Sequence, residues 1–234
     1  MLATATPRRR LRIVAIARLC IALPLAGCAT SGTPEAETAS GSEAASSGGA
    51  EGAVLGPLPP IERGSSADTP RTHQGLLIAR ATLDAAMPEP PLDRSYAALQ
   101  RWVDTDVVAW VERRRAQTQE VRERFELEGE PNESELAVSR AVIGVIHEDT
   151  ARALRSIPAP AELETEPEIA AMYRDIVSVQ ADAFLNSALV EFRDCANGAY
   201  RAEDDMRPFA LFCHERFDHL DEQLSARRKV AAAP

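Results

Sequence analysis

The chain has 234 residues, 45% of them hydrophobic, which is enough for one ordinary domain or two small ones. Its 26 basic and 36 acidic residues give a net charge of −10. Five arginines (Arg8, Arg9, Arg10, Arg12 and Arg18) fall in the first 27 residues, which hold no acid, leaving 21 basic against 36 acidic groups in the rest. That balance excludes a nucleic-acid partner, which needs a basic footprint, and no apolar run reaches the roughly 18 residues of a bilayer span.

The chain opens with Arg8-Arg9-Arg10-Leu11-Arg12, then an apolar stretch interrupted by Arg18, and a seven-residue apolar run from Leu19 to Leu25. A charged start, an apolar centre and small residues follow the order of an export signal. The run ends in Leu25-Ala26-Gly27-Cys28, which resembles the lipobox of bacterial lipoproteins. The resemblance implies that residues 1–27 are a signal peptide removed just before Cys28. It also implies that the Cys28 sulfur carries a diacylglyceryl group and that the new N-terminus is acylated. Two or three acyl chains hold a protein on a membrane where one holds it weakly. Ala29, rather than Asp, after Cys28 points to the outer membrane.

Residues 28–71 then read as the lipidated cysteine and a disordered tether. Ala, Ser, Gly, Glu, Thr and Pro dominate, and such a composition buries too little apolar surface to offset the entropy of ordering. A flexible chain of about 40 residues reaches roughly 35 Å on average.

From Thr72 the pattern becomes helical, so residues 72–230 are expected to form an all-α, antiparallel bundle of about five helices. Leu76, Ala79, Leu83 and Met87 mark a short helix that stops before Pro88-Glu89-Pro90-Pro91. Tyr96, Leu99, Val103, Val107 and Trp110, resumed by Val121 and Phe125, predict the longest helix over about 93–128, with Gly129 as its stop. Asn132 and Glu135 have the spacing of a capping box. The helix after them carries Leu136, Ile143, Ile146, Leu154 and Ile157 and ends at Pro158. A fourth helix spans about 167–196 and is closed by Asn197-Gly198. The last starts near Pro208 and ends at Arg227, Arg228 and Lys229.

Four cysteines divide by position. Cys20 leaves with the signal and Cys28 takes lipid, so Cys195 and Cys213 remain as an even pair in an oxidising compartment. Each lies on the apolar stripe of its helix, near the same connecting loop, and antiparallel packing would set them level. A structural disulfide is expected, since redox pairs use C-x-x-C at a helix N-terminus.

Signals for chemistry are few. His214 and His219 are five apart, whereas the H-E-x-x-H of zincins needs four, so one helix cannot aim both rings at one metal. No metal site is expected. His147 follows an apolar run and, with Tyr173, is a weak candidate for a ligand or metal within the bundle. Arg113-Arg114-Arg115 shares its helix with Glu112, Glu120, Glu123, Glu126 and Glu128 at pairing distances, which predicts a solvated, salt-bridged face. Trp102 and Trp110, eight apart, read as core anchors. No P-loop, G-x-S-x-G or C-x-x-C-H is present, so no cofactor is called for. Sequence alone therefore supports a non-catalytic envelope lipoprotein, held to the membrane through Cys28 and presenting its domain to another envelope protein or to the cell wall. A small-ligand or metal-binding module is the first alternative and an enzyme of unknown class the second.

Overall fold

In the computed structural model, residues 58–126 and 130–231 are described. The expected signal peptide, Cys28, most of the expected tether and the expected stop at Gly129 lie outside them. The described chain is helical with no strand, and five rods pack together: α1 (Pro70–Asp84), α2 (Tyr96–Trp102) continuing into α3 (Val108–Glu126), α4 (Glu133–Arg155), α5 (Pro167–Arg201) and α6 (Arg207–Ala231). No helix among the described residues is long and apolar enough to cross a membrane.

Local chemistry sets the starts. Thr69 caps α1 by accepting from the Thr72 N–H, and Pro70 fills the first turn, where its missing donor is not needed. Asn132 and Glu135 form the expected reciprocal capping box on α4. Glu135 also accepts from the Thr69 hydroxyl at 2.7 Å and pairs with Arg71 at 3.3 Å, so one buried carboxylate joins the starts of α1 and α4.

The α2–α3 rod contains a π-helical turn at Val103–Val107. Its buried residues Leu99, Val103, Val107 and Val111 are each four apart. In an unbroken α-helix each step would turn the next side chain about 40° further round. One wider turn, in which the Val108 N–H reaches Val103 O, takes up that drift and keeps the row on the core.

The longest helix is α5, with 35 residues, rather than the rod at 96–126. Asn197-Gly198 does not close it. Gly198 is buried with a negative φ, and the helix runs on to Arg201. The beginning of α4 packs against this last turn. A Cβ on Gly198 would lie 3.8 Å from the Ala137 side chain.

Contacts fix the directions. Arg140 meets Asp194, the Phe192 ring fills the space where a Gly144 Cβ would sit, His147 meets Phe184 and Arg155 meets Asp182, so α4 and α5 are antiparallel. Phe192 meets Phe212 and Asp182 meets Arg227, so α5 and α6 are antiparallel too. The first third of α5 overhangs the end of α4. There Tyr173, Ile169 and Ile176 pack with Leu163, Tyr96 and Ala159 in a satellite cluster.

Two features depart from the composition-based reading. Residues 66–69 are packed, not part of a free tether. Ala67 is buried, the Ser66 N–H donates to Asp205 at 2.7 Å, and the Ser66 and Ser134 hydroxyls are 2.6 Å apart. Arg114 is not on a solvated face. It is 3% exposed, lies over the Trp110 ring at 4.8 Å, donates to Ala85 O at 3.1 Å and pairs with Asp149 at 2.9 Å. Arg115 does pair with Glu112, as the spacing predicts.

Removing one partner of a buried ion pair strands the other. Asp149→Ala should therefore lower the unfolding free energy by about 2–4 kcal/mol, at the lower end of that effect because Asp149 is partly solvated. Arg114→Met should cost less, because Asp149 keeps water and Arg152 while Ala85 O keeps Trp110 Nε1. Denaturant melts of the two variants test the order.

Candidate functional site

Three consecutive ionisable residues enter the bundle from one turn of α4. Ile146 ends a run of buried residues on that helix, and His147, Glu148 and Asp149 then fan out toward three different helices. His147 points toward α5, its ring 6.2 Å from Phe184, with the Arg115 guanidinium over the same ring at 5.7 Å. Glu148 turns to α6, where Arg216 lies 3.5 Å away, and its Oε2 is buried without a hydrogen bond. Asp149 reaches Arg114 of α3 and Arg152 of its own helix.

Burial drives the protonation states here. It pushes the His147 pKa down to about 4, and the charges of Arg122 and Arg115 add to the effect. Burial raises the Glu148 carboxyl above its ordinary value, against the pull of Arg216, Arg152 and His219. Burial also works against the Arg114 charge, which Asp149 supports. The turn thus carries a neutral imidazole beside two arginines, and two carboxylates occupied by arginines from other helices. Arg122 is itself held by Glu191 at 2.6 Å. This is a set of cross-links between helices rather than an acid, base and nucleophile arranged around open space.

Tyr173, the other ligand candidate, is fully buried in the satellite cluster and donates to Pro158 O at 3.3 Å. Phe184, which touches His147, lies 11 residues further along α5, about 16 Å at helical rise. The structure does not bring the two candidates together. Trp102 and Trp110 are both buried, as core anchors should be. His214 and His219 are exposed, and His214 pairs with Asp218 one turn on. No group of three or more His, Cys, Asp or Glu among the described residues is placed to hold a metal. A cleft of about 420 Å³ between α1 and α3 is lined by Gln74, Leu77, Ile78, Glu120, Glu123 and Arg124, and neither ligand candidate reaches it.

Cys195 and Cys213 are bonded, with Cα atoms 6.0 Å apart, and both are fully buried. Cys195 stands two turns before the end of α5 and Cys213 two turns into α6. They are the level positions that the antiparallel pair requires.

Two outcomes follow. Cys195→Ser with Cys213→Ser should lower stability by about 2–5 kcal/mol while helical circular dichroism is retained, and thiol reagents should find neither cysteine in the native wild type. His147 gives a pH effect of definite sign. Its folded pKa lies below the unfolded value of about 6.5, so the unfolded chain binds the extra proton. Stability is therefore full above about pH 6.5 and is lost as the pH falls toward 4, by about 2–3 kcal/mol. The raised Glu148 acts with opposite sign in the acid range, its contribution being lost as the pH rises through its folded value. Comparing His147→Gln with wild type isolates the first effect: the variant's stability should be flatter over that window in pH-dependent melts.

Comparison with protein-family models, with curated proteins and with solved structures gave no match.

Proposed function

We propose that this protein is a lipid-anchored envelope protein whose helical domain acts by contact rather than by catalysis. The observation that carries the reading is Leu25-Ala26-Gly27-Cys28 at the end of a basic, then apolar, N-terminal segment. Two further observations support it. A buried disulfide is the habit of exported domains. The charged groups that enter the bundle are engaged in joining helices: Arg114 with Asp149, Arg216 with Glu148, and Asp182 with both Arg155 and Arg227.

On this reading the Cys28 lipid holds the chain on a membrane, the outer membrane by the identity of Ala29. The residues after Cys28 let the domain search a shell above the surface for a protein or cell-wall partner.

Cys28→Ala should abolish incorporation of labelled palmitate and leave the precursor at full length. Wild-type protein should label and run shorter. Labelling that survives in the variant overturns the lipobox reading.

A further inference from the structure

The solvent face of α5 carries an ordered pattern. At about 100° per residue, Glu168, Met172, Asp175, Val179, Ala183, Asn186, Val190, Arg193, Asn197 and Arg201 fall within an arc of roughly 80°. Met172, Val179 and Val190 are 52%, 64% and 46% exposed, unusual for large apolar side chains on a helix already packed on its other side. Along this arc the order is acidic, apolar, basic: Glu168 and Asp175 come first, Val179 to Val190 lie in the middle, and Arg193 and Arg201 come last. The uncharged middle runs from residue 176 to 190 on this face.

The helix dipole favours acids in the first turn and cations in the last. It accounts for Glu168 and Arg201, and Arg201 is also paired with Glu133 at 3.2 Å. It does not account for Asp175 and Arg193, each eight residues in from its end of α5, where the dipole has faded. Asp175 makes no ion pair among the described residues, and Arg193 touches only its sequence neighbour Asp194.

A sequence that reverses its charge about its own centre is complementary to itself when turned end for end. A two-fold axis passing beside the Leu185 level would set Val179 against Val190 of a second copy and Met172 against Asn197. Asp175 would meet Arg193, offset by one residue. Such an axis also keeps both members of each pair on the same side of the seam, and Asp175 and Arg193 do share one edge of the arc. Identical patches meeting across a two-fold form the commonest kind of oligomer contact.

We propose that the outer face of α5 is an antiparallel self-association surface whose occupant is a second copy of this chain. The contact does not depend on lipid anchoring. A single helix seam is smaller than the about 800 Å² per partner of a standard interface, so the solution dimer is weak. Tethering two copies to one surface would raise their effective concentration toward millimolar and favour it.

Sedimentation equilibrium of the full chain in density-matched detergent tests this. Wild type should show a monomer–dimer equilibrium. Asp175→Arg and Arg193→Asp should each weaken it about tenfold, since each places two like-charge pairs across the seam. The double swap should return it to within about threefold of wild type, and Val179→Glu should abolish it. All three positions are exposed, so circular dichroism should be unchanged. A wild-type chain that stays monomeric to about 1 mM overturns the proposal. So does association indifferent to Asp175→Arg, or a double swap no better than the single ones.

Discussion

A guanidinium taken almost wholly out of water needs a counter-charge and an acceptor that the fold must supply, and the first half of this bundle is arranged around that demand. Arg114 can be buried only if Ala85 O, at the end of α1, the face of Trp110 and the carboxylate of Asp149 all stand where they do. The three groups come from three helices. Moving α4 by a turn would carry Asp149 away and leave a buried charge unpaired, a far larger penalty than a displaced methyl group. The pair therefore specifies register more than it adds stability.

The same device recurs elsewhere. Glu135 joins the starts of α1 and α4, and Asp182 receives Arg155 from α4 and Arg227 from α6. Between these points the packing is small against aromatic. The rings of Phe125 and Phe192 occupy the space where side chains on Gly75 and Gly144 would lie. Glycine inside a helix costs about 1 kcal/mol relative to alanine. Here the missing Cβ lets two rods approach closely enough to bury a ring completely.

How much of this was legible in the sequence depends on how local the cause is. The capping box at Asn132 and Glu135, the start at Pro167 and the Cys195–Cys213 pairing follow from spacing and short-range chemistry, and they could be read directly. Asn197-Gly198 has the composition of a helix end but is not one, because Gly198 keeps a negative φ and continues the helix where the start of α4 packs on it. The burial of Arg114 does have a sequence signal: Val111, Arg114, Thr118, Val121 and Phe125 follow one another by three and four, a core stripe with a charge in it. The row Leu99, Val103, Val107, Val111 likewise announces a helix wider than α. The contacts of Ser66 have no local sign, since its partners lie about 70 and 140 residues away. The His147 surroundings were invisible for the same reason, being supplied by α3 and α5.

The attachment of Ser66 has a mechanical consequence. Its partners, Ser134 and Asp205, stand at the N-terminal ends of α4 and α6, so the preceding chain enters the domain at one end of the bundle. Tension along that chain would reach Asp205 beside the loop joining α5 to α6, the natural place for the last helix to peel away. Two turns in from that loop the polypeptide is welded by the bond between Cys195 and Cys213. A tear begun there is arrested within about 9 Å of helix. Load must then be carried in shear along the whole length of α5 and α6, the direction in which packed helices resist separation best.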